Sequence, residues 1–181
     1  MKMKILSLAL LAVAVLLISG CGQTQTTPKM GTLVMQITDA PPEELSIEKA
    51  EVTISNVEVH LAAEGEDENA TTEAGWSTVV SEPKTYDLIA IKDVNEVLGQ
   101  KVLAAGRYTQ VRLNVDKATV TINSTQYDLE VPSDKIKLVK GFTIEDNKTT
   151  TITLDFDAQE SIKAIGNDKY ILRPTVKIVQ E

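Results

Sequence analysis

From Met30 onward, apolar residues return at every second position in one short segment after another, and this alternation constrains the chain more than any other feature. A strand sends successive side chains to opposite faces, so a period of two suits a half-buried strand and is wasted on a helix. Leu33, Met35 and Ile37 share one face. The same pattern recurs at Val52 and Ile54, at Val57, Val59 and Leu61, and along Thr109, Val111, Leu113 and Val115. It continues through Val120 and Ile122, Tyr127, Leu129 and Val131, Ile136 and Leu138, Ile152, Leu154 and Phe156, and Val176 and Ile178. These segments are rich in Val, Ile, Thr and Tyr, which pack well on a pleated surface.

Inward parity changes from even to odd around Ser55-Asn56, and a β-bulge there keeps both apolar sets in the core. Pro174 falls inside the last apolar segment; lacking an N–H, it puts the start of that segment at an edge or a bulge. Two segments break the alternation with a period nearer 3.6. In the first, Asp93 and Glu96 have capping-box spacing, Val94, Val97 and Leu98 form a stripe, and Gly99 stands at the C′ position. In the second, Asp157 and Glu160 repeat the spacing, Ala158, Ile162 and Ile165 form the stripe, and Gly166 closes it. Each predicts a short helix. Many short strands with frequent turn signals then predict an all-β chain: an antiparallel β-sandwich, immunoglobulin-like or transthyretin-like, with Greek-key connections and one or two short helices. A partly open barrel is the alternative.

The first twenty residues follow different rules. Lys2 and Lys4 precede an apolar stretch from Ile5 to Ile18 that is short for a bilayer span, and Ser19-Gly20 supply the small residues of a cleavage point. Ile18-Ser19-Gly20-Cys21 resembles the lipobox of prokaryotic lipoproteins. The resemblance implies that residues 1–20 are a signal peptide removed before Cys21, and that the Cys21 thiol is diacylated. Residues 22–29 contain nothing apolar and read as a flexible tether, leaving residues 30–181 as a single domain. The chain is then expected in the cell envelope, anchored on the extracytoplasmic side of a membrane. With one cysteine, no disulfide framework is available and packing must stabilise the domain.

Residues 1–20 carry two lysines and no acid, so their removal takes the net charge from −8 to −10. That excludes nucleic acid as a partner, because its phosphates repel an acidic surface. Anionic lipid repels it too, so membrane residence must rest on the acyl chains of Cys21 rather than on a basic patch.

Catalytic chemistry is thin. His60 is the only histidine, it sits in a strand segment, and no Gly-x-Ser-x-Gly elbow accompanies it. One histidine and a lipidated cysteine do not make a zinc site. Carboxylates remain: Asp39 at the end of the first strand, with Asp155 and Asp157 flanking Phe156, are candidate calcium ligands. The alternative gives Asp39 to the turn into Pro41-Pro42 and Asp157 to a helix cap. Glu64, Glu66, Asp67, Glu68 and Glu73 belong to an exposed acidic loop without EF-hand order. Tyr108, Gln110 and Arg112 are expected to share the outward face of a strand whose inward residues are Val111 and Leu113. Such a face suits a carboxylate or a sugar, and equally an ordinary solvated sheet. Trp76, the sole tryptophan, is expected in the core with its indole N–H hydrogen-bonded, with a carbohydrate platform as the alternative. Asn69, Asn123 and Asn147 begin N-glycosylation acceptor patterns in predicted loops.

Several stretches in sequence order are similar to one family. They are Gly31-Thr32-Leu33 running into Thr38-Asp39-Ala40-Pro41, Val52-Thr53-Ile54 to Val57-Glu58-Val59-His60, and Ala105 to Leu113. Val131-Pro132-Ser133, Leu154-Asp155-Phe156-Asp157 and Tyr170-Ile171-Leu172-Arg173-Pro174 complete the set. Together they resemble the domain of unknown function 4382, a lipoprotein family. The resemblance implies an extracytoplasmic β-sandwich, often lipid-anchored, and brings no catalytic residues. The expectation is a non-enzymatic binding or surface-interaction module, with no cofactor unless calcium, a membrane contact through Cys21, and a protein or glycan partner. A calcium-dependent adhesion or carbohydrate-binding module is the first alternative, and a hydrolase the last.

Overall fold

The computed structural model describes residues 28–39, 47–62, 75–133 and 135–180. Cys21 and most of its tether, the Ala40-Pro41-Pro42 turn, Asn69 and the acidic residues of the 62–75 loop lie outside the described residues. The alternating segments form strands in two sheets. One sheet runs β13 (Val176–Gln180), β10 (Thr149–Phe156), β1 (Met30–Asp39), β5 (Glu96–Ala104). The other runs β11 (Ile162–Gly166), β12 (Lys169–Leu172), β7 (Thr125–Glu130), β6 (Gly106–Ile122), β2 (Ile47–Leu61), β3 (Gly75–Val80). β4 (Lys84–Asp87) adds to β2, while β8 (Lys135–Leu138) and β9 (Phe142–Ile144) add to β6. Neither sheet closes into a barrel, and the fold is an all-β sandwich.

Its pairing is mixed rather than purely antiparallel. β1 lies parallel to β10, and β7 parallel to β12. Parallel neighbours need a long crossover. Between β1 and β10 that crossover includes most of the second sheet, a separation that local alternation does not reveal.

The inward faces form one contiguous apolar cluster. Leu33, Met35 and Ile37 meet Ile152, Leu154 and Phe156 within their sheet, opposite Val57, Val59, Val111 and Leu113 of the other. Burying each such side chain contributes about 1.5–3 kcal/mol. The expected bulge is present: pairing of β2 with β6 slips between Ile54 and Asn56, leaving both Ile54 and Val57 buried. Gly31 is a place where only glycine fits, because a Cβ there would lie 2.3 Å from the Glu145 carbonyl oxygen.

Both helix expectations need correction. Residues 96–99 form the start of β5, with Val94 and Val97 exposed and only Leu98 of the stripe buried. A two-turn stripe is a poor helix nucleus, and here a ladder partner is available in β1, with Val97 aligned to Gln36 and Gly99 to Met35. The second segment begins as expected, with the Asp157 carboxylate accepting from Glu160 N at 2.9 Å, but α1 (Ala158–Ser161) is a single turn. Ile162 then starts β11. Gly166 does not close a helix; Asn167 and Asp168, at φ 50° and 54°, form the tight turn of the β11–β12 hairpin. Asn123 and Ser124 make the same kind of turn between β6 and β7, and Asn147 sits exposed in the turn before β10. Pro174 lies where the chain leaves β12 for edge strand β13, with Arg173 N and Thr175 N donating to the Ser161 carbonyl and hydroxyl oxygens at 2.7 and 2.8 Å. Among the described residues no helix is long and apolar enough to cross a membrane.

Candidate ligand face

Because Val57, Val59 and Leu61 of β2 and Val111 and Leu113 of β6 point inward, the residues between them point out. Register then places His60 between Trp76 of β3 and Gln110 of β6, and Glu58 between Thr78 and Arg112. Lys137 of β8 lies beside Arg112 on the far side.

On this face the Arg112 guanidinium carbon lies 3.6 Å from the Trp76 ring centroid. Stacking of this kind contributes about 0.5–2 kcal/mol, depending on how far water is excluded. His60 tilts against the same indole, with centroids 4.8 Å apart, and its Nδ1 is 3.2 Å from Thr109 Oγ1. Arg112 Nε is buried with no hydrogen-bond partner, and among the described residues Arg112 makes no ion pair within 4.0 Å. Nε is covered, so the donors left for a ligand are the two terminal NH2 groups of the planar guanidinium, which match a carboxylate through two parallel hydrogen bonds.

Gln110 and Arg112 therefore stand on the expected face, and Tyr108 does not. Pairing slips between His60 and Leu61, which align with Gln110 and Tyr108, so Thr109 is skipped and Tyr108 turns inward. It is 1% exposed, stacks on Phe142 with centroids 5.3 Å apart, and donates its hydroxyl to the Ala104 carbonyl at 2.9 Å. Burial pushes its phenol pKa up. Trp76 moves the other way, from the expected core to the outer face. The six residues of β3 are all half-buried, so that strand lacks the inward parity that would have shown its orientation.

The three candidate carboxylates lie near α1, and two of them accept hydrogen bonds from its first turn. Asp39 is 2% exposed, and its Oδ1 accepts from Ala158 N at 2.9 Å. Asp157 caps Glu160 N, while Asp155 is half-buried between Thr38 of β1 and Lys177 of β13. Among the described residues no group of three or more His, Cys, Asp or Glu side chains is arranged to hold a metal ion. A groove of about 480 Å³ lies nearby, and Pro132, Ser133 and residues 171–174 contribute to its walls together with Glu130, Lys135 and Ile136.

The family model described as Domain of unknown function (DUF4382) matches residues 30–174. No curated protein and no solved structure matches the chain.

Proposed function

The chain belongs to the family of the domain of unknown function DUF4382, and on that premise we propose that it is a lipid-anchored, extracytoplasmic binding protein without catalytic activity. Its ligand is a carboxylate-bearing glycan, taken on the face formed by Trp76, Gln110 and Arg112. The observation that carries this reading is the Arg112 guanidinium stacked on Trp76, with terminal NH2 groups that no described residue binds. Gln110 adds an amide beside it, and Lys137 adds a second positive charge.

The non-enzymatic part rests on His60. Its ring is occupied by Thr109 and Trp76, and among the described residues no carboxylate orients it as a general base would require. The anchor rests on the Ile18 to Cys21 segment. Lys29 and Ala105 are hydrogen-bonded where the chain enters β1, and Ala62 binds Arg107 at the same end of β6, so the face lies toward the tether. Eight tether residues span at most about 28 Å. That clearance suits a glycan close to the membrane surface.

Cys21→Ser is expected to move the protein from the membrane fraction to the soluble fraction; a variant that stays with the membrane removes the anchor. Arg112→Ala is expected to weaken calorimetrically measured binding of an oligogalacturonide by at least tenfold. Unchanged affinity removes the face.

A further inference from the structure

On the open side of the sandwich two strand edges face one another. Among the described residues β13 pairs only with β10, and β8 pairs only with β6. Between them lies a groove of about 500 Å³ lined by residues 137–140 and 176–179. The Ile178 carbonyl points into this groove, where the Lys140 ammonium donates to it. In an antiparallel pair alternate residues turn their N–H and C=O away from the partner strand, so the edges of Val176 and Gln180 face the same way as that of Ile178. This is a backbone edge closed by a side chain rather than by another strand.

Charge and apolar exposure both mark the groove. Its three titratable lining residues, Lys137, Lys140 and Lys177, are all cationic in a chain whose net charge is −8. Asp155 faces Lys177 from β10, and Arg112 faces Lys137 from β6. Val139 is 80% exposed and Val179 44%, which leaves apolar surface beside the open edge. Edge lysines discourage pairing with another lysine-rich edge, and the same charges attract an acidic strand.

We propose that this groove takes an extended acidic segment of a partner protein as an added strand along β13. The incoming backbone bonds to the free edge at Val176 and Ile178 and displaces the Lys140 ammonium from the Ile178 carbonyl. Its carboxylates lie on the outer face with Lys177, within reach of Lys137 and the released Lys140, and its alternate small apolar side chains turn inward beside Val176 and Ile178. Main-chain bonds supply the affinity and the alternating side chains the selectivity.

The test uses the full chain in detergent and a fluorescein-labelled octapeptide alternating Glu and Val. Controls are a Lys-Val octapeptide and a Glu-Val octapeptide N-methylated at every second amide. Saturable anisotropy is expected for the Glu-Val peptide, with at least tenfold weaker binding of each control and of the double variant Lys140→Glu/Lys177→Glu. Hydrogen exchange at the Ile178 amide is expected to slow on binding. Equal affinity for the Lys-Val or the N-methylated peptide overturns the proposal, as does absence of binding at millimolar peptide or a chain dimer that excludes it. Both control peptides are titrated against the unmodified chain, so the inference stays testable even if the double variant fails to fold.

Discussion

Replacing Tyr108 by alanine is expected to lower the unfolding free energy by about 3–5 kcal/mol, whereas Tyr108→Phe costs only about 1 kcal/mol. The difference separates two contributions of the side chain. The ring lies in the core against Phe142, so its removal leaves a cavity that neighbouring strands fill only in part. The hydroxyl makes one hydrogen bond, to the Ala104 carbonyl at the corner between β5 and β6. Urea unfolding monitored by circular dichroism measures both variants. A Tyr108→Ala protein within about 0.5 kcal/mol of the unmodified chain, as surface substitutions usually are, would return Tyr108 to the outer face.

The same burial gives a pH dependence. A phenol pKa raised in the folded state means that the folded chain holds its proton more tightly than the unfolded one. That stability is fully present below the ordinary phenol value of about 10 and is lost as pH rises from there toward the folded value. Tyr86 is shifted upward by burial as well, so Tyr108→Phe should reduce the alkaline loss without abolishing it.

Asp39→Ala is the second large effect, expected at about 1.5–3 kcal/mol, the range for hydrogen bonds to charged groups. The substitution removes the acceptor for Ala158 N, in the first turn of α1, from a site that water barely reaches. Asp39→Asn keeps an acceptor oxygen and should cost less. Thermal unfolding in EDTA and in millimolar calcium is expected to show the same deficit for Asp39→Ala in both. A deficit seen only with calcium would assign the carboxylate to a cation instead.

The sequence was most legible where one face is fully buried. Leu33, Met35 and Ile37 announce their orientation, and the parity change at Ser55-Asn56 announces the bulge, because a slip of one residue would expose a whole apolar set. The Thr109 irregularity was hidden, since Tyr108 is amphipathic and reads equally well on either face. Residues 93–99 had helix-capping chemistry, but β1 offered a partner that no local pattern reveals. Gln110 and Arg112 were readable as outward from the inward Val111 and Leu113. Their stacking partner was not, because Trp76 reaches Arg112 from β3 across β2, a contact set by strand order rather than by spacing along the chain.

Because Trp76 is the sole tryptophan, its emission reports directly on the candidate face. The decisive measurement is a titration of the full chain with an oligogalacturonide and with its neutral, uncharged counterpart. The acidic ligand should change Trp76 emission saturably, the neutral one should leave it unchanged, and Arg112→Ala should move the midpoint of the response to at least tenfold higher ligand concentration. No response to the acidic ligand at millimolar concentration, or an equal response to the neutral one, would contradict the assignment of this face to carboxylate recognition.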